Sequence, residues 1–161
     1  MKINDYLVGT LFIFLLGVLF HFTYELSGYN NLVAVFSSIN ESTFEHTKIL
    51  IYPTMIWYLI FYFKNRKEVN KDVLFSSLVI NLLVEIIILP VIYYTYTGVF
   101  GVNNTIVNLL IFLVSTIFGF YVSYMAYKKG IKIPYEILIP LIILVFIYFT
   151  FYPFNIPYFI F

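Results

Sequence analysis

Both histidines of this chain fall in one stretch, His21 to Lys48, HFTYELSGYNNLVAVFSSINESTFEHTK. The same stretch holds Glu25, Glu41 and Glu45, three of the eight acidic residues. His21 and Glu25 are four apart, as are Glu41 and Glu45, so on a helix each pair shares a face. His46 follows Glu45 directly. Two imidazoles and three carboxylates supply the nitrogen and oxygen ligands that zinc, iron or manganese accept, and a carboxylate one turn from a histidine is also how a ligand ring is oriented. The expected site is a divalent-metal centre. His21, Glu25, Glu45 and His46 are its candidate ligands, and Glu41 and Glu45 its candidate general bases. With two histidines, bis-histidine haem is a weaker option.

The spacing itself is not an established metal motif, and a competing reading exists. Ser42-Thr43-Phe44-Glu45 matches the S/T-x-x-E capping box, with Glu45 reaching back to the cap residue. Asn40 is an alternative cap, and acidic residues suit a helix N-terminus. Capping accounts for Ser42 and Glu45; His21, Glu25, Glu41 and His46 then belong either to the metal centre or to a hydrogen-bonded network.

The surroundings make this polar stretch expensive. The chain has 161 residues, 62% hydrophobic and 11% charged, with a mean hydropathy of +0.95. A soluble domain carries about 45–50% apolar and about 25% charged residues, so the natural solvent here is a bilayer. A net charge of +1, with the basic residues in short loops, gives no case for nucleic acid. The absence of cysteine excludes thiolate sites and disulfides. No A-x-A-like cleavage site follows the apolar N-terminal run, which reads as a retained span.

A span needs roughly 20 mainly apolar residues. The chain is expected to be an all-α integral membrane bundle, a single transmembrane domain over residues 1–161, with five spans near 6–26, 43–63, 73–96, 105–127 and 137–152. Residues 31–39 are too short to cross and read as a re-entrant or interfacial piece. YTYTGVFGVNN reads as an aromatic turn, and the tail PFNIPYFIF, broken by Pro153 and Pro157, either continues the fifth helix or bends back along the interface. Eight of the nine basic residues then fall on one side; the positive side faces the cytoplasm, putting the N-terminus inside and the C-terminus outside. His21, Glu25, Glu41, Glu45 and His46 all land at the outer end.

Two features lie deeper. Glu85 falls half-way along the third span, with Asn81 one turn earlier to hydrogen-bond it. It reads either as an uncharged carboxyl gluing helices or as a proton relay. Ser115, Gly119 and Ser123 recur every four residues, a small-residue packing face.

The segment N-E-S-T-F-E-H-T-K-I-L-I-Y-P (Asn40 to Pro53), with H-F-T-Y-E-L-S-G before it and Y-T-Y-T-G after it, resembles an uncharacterised family of small bacterial multi-span membrane proteins that carry an N-E-S-x-x-E-H motif. The resemblance covers most of the first four spans. It implies a helical membrane protein and no established activity.

The residues themselves favour a metal-dependent hydrolase acting on a membrane lipid or lipid-linked substrate. A cation- or proton-coupled transporter using the same carboxylates, and a non-catalytic subunit partnering another membrane protein, are the alternatives. No G-x-S-x-G or H-E-x-x-H occurs, so serine hydrolase and zincin readings have no support.

Overall fold

A computed structural model describes residues 3–159. Among these the chain is wholly helical: α1 Ile3–Leu26, α2 Asn31–Ala34, α3 Thr43–Asn65, α4 Lys71–Phe100, α5 Thr105–Lys128 and α6 Tyr135–Phe151. By length and composition, α1, α4 and α5 can each cross a membrane, and α6 is a shorter apolar helix. The fifth long helix, α3, has 23 residues and carries the polar groups of the candidate site in its first turns. Leu7, Leu11, Leu15, Leu110, Ile117 and Leu144 are among the large apolar side chains turned outward, as expected where the solvent is hydrocarbon.

α1 packs on α3, α3 on α4, α4 on α5 and α5 back on α1, closing a ring of four helices; α6 packs outside it on α4. The seam between α4 and α5 is the most extensive, and the small-residue face of α5 lies in it. Ser115, Gly119 and Ser123 are all buried. A Cβ on Gly119 would run into the Asn81 amide and come within 3.0 Å of Glu85 Cγ, so glycine lets the backbone of α5 lie directly on two polar side chains of α4.

Hydrogen bonds between buried polar side chains tie the ring together. Thr54 of α3 donates to Glu85 of α4 (3.1 Å), and Tyr58 of α3 to Ser123 of α5 (2.9 Å). With its nitrogen turned towards α5, the Asn81 amide donates to Gly119 O at 3.2 Å and to Glu85 Oε1 at 3.3 Å. In that orientation the expected hydrogen bond between Asn81 and Glu85 forms, and Thr54 of α3 is a further partner of Glu85.

The ends of the elements depart from expectation in an instructive way. Residues 94–98, YTYTG, are not a turn: α4 runs on to Phe100 and stops at Gly101, which takes the left-handed conformation with φ 64°. Gly98 alone lowers helix propensity by about 1 kcal/mol, too little to end a helix that Gly101 can cap. At 30 residues α4 is about 45 Å long, longer than a hydrocarbon core of about 30 Å. Pro53, Pro90 and Pro140 lie inside continuous helices.

The tail does turn back. Phe44 N, in the first turn of α3, donates to Tyr158 O (2.9 Å), and the Phe44 ring stacks on Phe146 of α6 and touches Phe159. Tyr94 accepts a hydrogen bond from Thr43 and donates to Pro157 O. At the other end Lys132 and Tyr135 both reach Asp72 (3.3 Å each), joining the two basic loops.

Candidate metal centre

His21 stands in the last turns of α1, His46 in the first turn of α3, and Glu41 in the loop before α3. Glu41 bridges the imidazoles: His21 Nε2 lies 3.4 Å from its Oε1 and His46 Nε2 3.5 Å from its Oε2. The ring centroids are 5.4 Å apart. One ligand atom from each of the three residues lies within 4.8 Å of the others. A tetrahedral ion with bonds of about 2.1 Å has ligand atoms about 3.4 Å apart; each histidine lies near that separation from a different Glu41 oxygen, so the three residues could hold an ion after closing slightly.

The electrostatics of this arrangement ask for a positive charge, which a second ring proton or a bound cation supplies. Ser42 O lies 2.9 Å from His46 Nδ1; a carbonyl only accepts, so the ring proton sits on Nδ1 and, in the neutral ring, Nε2 presents a lone pair. That lone pair faces a carboxylate oxygen. Two acceptors at this distance repel unless a positive charge lies between them, and fixing the tautomer through the far nitrogen is how a ligating histidine is held. His21 Nδ1 is buried with no hydrogen-bond partner.

Local sequence explains how each group reaches its place. Ser42 caps α3, accepting from Glu45 N (3.4 Å), so half of the expected capping box forms. The other half does not. The Glu45 carboxylate accepts from Ile39 N (2.9 Å) and pairs with Lys48 at 2.6 Å, while Asn40 Oδ1 takes the N–H of Ser42 (2.8 Å). Lys48 also donates to Ala34 O and Thr150. Glu45 and Lys48 are thus a buried pair strapping the loop before α3 to its first turns.

The loop also docks on α1. Ser37 Oγ accepts from Tyr24 N (2.9 Å) and from Thr23 Oγ1 (2.9 Å), donates to Phe20 O, and Ser38 N adds a bond to Phe20 O (3.2 Å). A side chain inserted in the backbone ladder on either side of His21 fixes where its ring points. Nearby, Gly17 brings α1 close to α3 and α5; a Cβ there would meet Phe112 at 2.6 Å and Ile49 O at 3.0 Å.

Of the residues expected at the centre, the structure therefore unites His21, Glu41 and His46. Glu45 faces Lys48 instead, Glu25 is exposed beyond His21, and Asn40 shapes the loop. Glu85 and Asn81 form the separate buried group in the middle of the bundle.

Two cavities meet at Glu41 and His46. One, of about 210 Å³, is bounded by Glu41 and His46 together with Thr43, Tyr93, Asn103, Thr105 and Asn108. The other, of about 450 Å³, runs between α1 and α5 and is mostly apolar, lined by Phe14, Val18, Phe22, Leu109 and Phe112 besides the same His21, Glu41 and His46. Sequence reasoning missed Asn103, Thr105 and Asn108. Their signal was the run N-N-T-I-V-N at the start of the fourth long span, too polar for a helix that only meets lipid.

Membrane-length apolar helices closed around a two-histidine, one-carboxylate cluster at one end define a multi-span helical protein with a metal-ligand-type site. The chain belongs to a family of unknown function, DUF6512, whose model matches residues 2–161. No curated protein and no solved structure matches it.

Proposed function

We propose that this chain is a metal-dependent membrane hydrolase whose lipid substrate reaches the site from the bilayer. The observation that carries the reading is the clustering of His21, Glu41 and His46 at the head of an apolar groove, with Glu41 and His46 also facing a polar cavity. Three protein ligands leave coordination positions open, the mark of a catalytic rather than a structural metal site. A divalent ion there supplies Lewis acidity and hydroxide at neutral pH.

In this scheme His21, Glu41 and His46 would hold the ion, and a Glu41 oxygen would relay the proton of the attacking water to the leaving group. Water oxygen bonds to the acyl carbon, and the bond from that carbon to the leaving heteroatom breaks. Tyr93, whose hydroxyl accepts from Asn103 (3.3 Å), keeps its own proton to offer to the developing oxyanion. Glu45, engaged by Lys48, has no part in the chemistry.

The two basic loops meet at the end of the bundle opposite these residues. By the positive-inside rule the site then faces outward, with five crossings, an internal N-terminus and an external C-terminus.

Elemental analysis of the purified protein tests the reading. About one transition-metal ion per chain is expected, lost in His21→Ala and His46→Ala and kept in Glu25→Gln. A folded protein that takes up no metal from a replete buffer overturns it.

A second reading, a proton or cation carrier, is favoured by the fully buried polar side chains below the site: Thr54, Tyr58, Ser77, Asn81, Glu85 and Ser123. It predicts proton flux in proteoliposomes that Glu85→Gln abolishes.

A further inference from the structure

The head and tail of the lipid can be specified further, given the hydrolase reading above. The groove beside the three site residues is not the only cavity between α1 and α5. A second, of about 480 Å³, lies along the same seam, lined by Tyr6, Leu7, Leu11, Leu113 and Phe120 among others, and shares Phe14 with the first. The two follow one another from His21 down to Tyr6, about 22 Å at the helical rise. That is an apolar track the length of a long hydrocarbon chain, flanked by outward-facing Leu11, Val18 and Leu109, so a chain enters it sideways from the bilayer.

The polar cavity defines the head. Asn108 donates its amide nitrogen to Asn103 Oδ1 (2.8 Å), yet its own Oδ1 is buried with no partner. A buried acceptor in that state calls for a donor, which a hydroxyl or an amide N–H supplies and an ionised phosphate does not. Charge points the same way. Among the described residues no lysine or arginine lines either cavity. Lys48, the one basic residue near the site, is buried against Glu45. Phosphate recognition relies on such cations, and in the metal-free protein a phosphate here would face the Glu41 carboxylate with none to offset it.

We infer that the substrate is an uncharged, single-chain acyl lipid whose head carries a hydroxyl or amide N–H, its chain lying in the seam between α1 and α5 and its head donating to Asn108. Phosphate-headed lipids are poor ligands of the metal-free site.

Photo-crosslinking tests this with the full chain in nanodiscs, with and without added zinc. The probe is a long-chain monoacylglycerol carrying a diazirine in its chain, competed by unlabelled monoacylglycerol or by lysophosphatidic acid of the same chain. Labels are expected on the α1–α5 seam near Val18 and Phe14. Leu109→Trp, which fills the groove from its exposed side, should remove most of them. Monoacylglycerol should compete at least about 10-fold better than the phosphate analogue, and Asn108→Leu should erase that difference while leaving the chain labelled. Equal competition by the two lipids overturns the assignment of the head. Labels spread over all lipid-facing helices, unchanged by Leu109→Trp, overturn the assignment of the track. The readout needs no bound metal. Seam labelling in a protein that retains no metal supports the lipid assignment and sinks the hydrolase reading, whereas retained metal without seam labelling sinks the lipid assignment alone.

Discussion

Adjacent residues on a helix point about 100° apart, and that angle decides what Glu45 and His46 do. Only one of them can face α1 across the start of α3. His46 does, and Glu45 turns towards Lys48, three residues on. Both members of that pair are buried, with Lys48 fully enclosed. Removing one partner of a buried pair costs about 3–5 kcal/mol, more than the pair itself contributes. Glu45→Gln should therefore lower the unfolding midpoint strongly in a thermal melt, yet leave the metal content of the surviving folded protein unchanged. Replacing both, Glu45→Leu with Lys48→Met, should recover much of the loss. The sequence showed that ionisable groups gather here and which types they are. It could not show which carboxylate each histidine meets, because spacing within a helix places Glu45 and Glu41 equally well, and only the neighbouring helix distinguishes them. Glu25 shares a face with His21 but lies a turn farther out, past the level at which α3 begins.

The loop between α1 and α3 is the element that converts two helix ends into a site. Its hydrophobic run reads as an interfacial piece, and its short helix α2 has only four residues. What composition did not reveal is that Ser37 enters the backbone ladder of α1 beside His21. Groups that orient a ligand ring typically change metal affinity 10–100-fold. Ser37→Ala is expected to weaken metal binding by roughly 10-fold with the fold retained, measured by competition with a chromophoric chelator. Farther down, Gly119→Ala should cost about 1–3 kcal/mol by overpacking, since its methyl would displace the Asn81 amide and press on Glu85; a lowered melting temperature with normal helix content is the expected signature. Helix number and approximate limits were legible because apolar runs of span length are a strong signal. The limits failed where a weak breaker such as Gly98 was given the weight of a strong one, and the tyrosines around it proved to be the last turns of α4.

At the level of the molecule, the basic loops and the candidate site occupy opposite ends. The native chain has no cysteine, so single introduced thiols report topology cleanly. With an outward-facing site, Val102→Cys, exposed in the loop between α4 and α5, should react with an impermeant maleimide added to intact cells. Asn70→Cys and Gly130→Cys should react only after permeabilisation. The reverse pattern would put the site in the cytoplasm.

The returning tail bears on the order in which the molecule is assembled. During synthesis α1, α3, α4 and α5 all precede Tyr158, whose carbonyl accepts from the first turn of α3. Until that residue leaves the ribosome, Phe44 lacks its cover and the N–H groups at the head of α3 are one acceptor short. The end of the bundle that carries the candidate site is thus the last part to close. A nascent chain paused before α6 would hold its four-helix ring in the bilayer with the mouth still open, and completion of the tail acts as the latch.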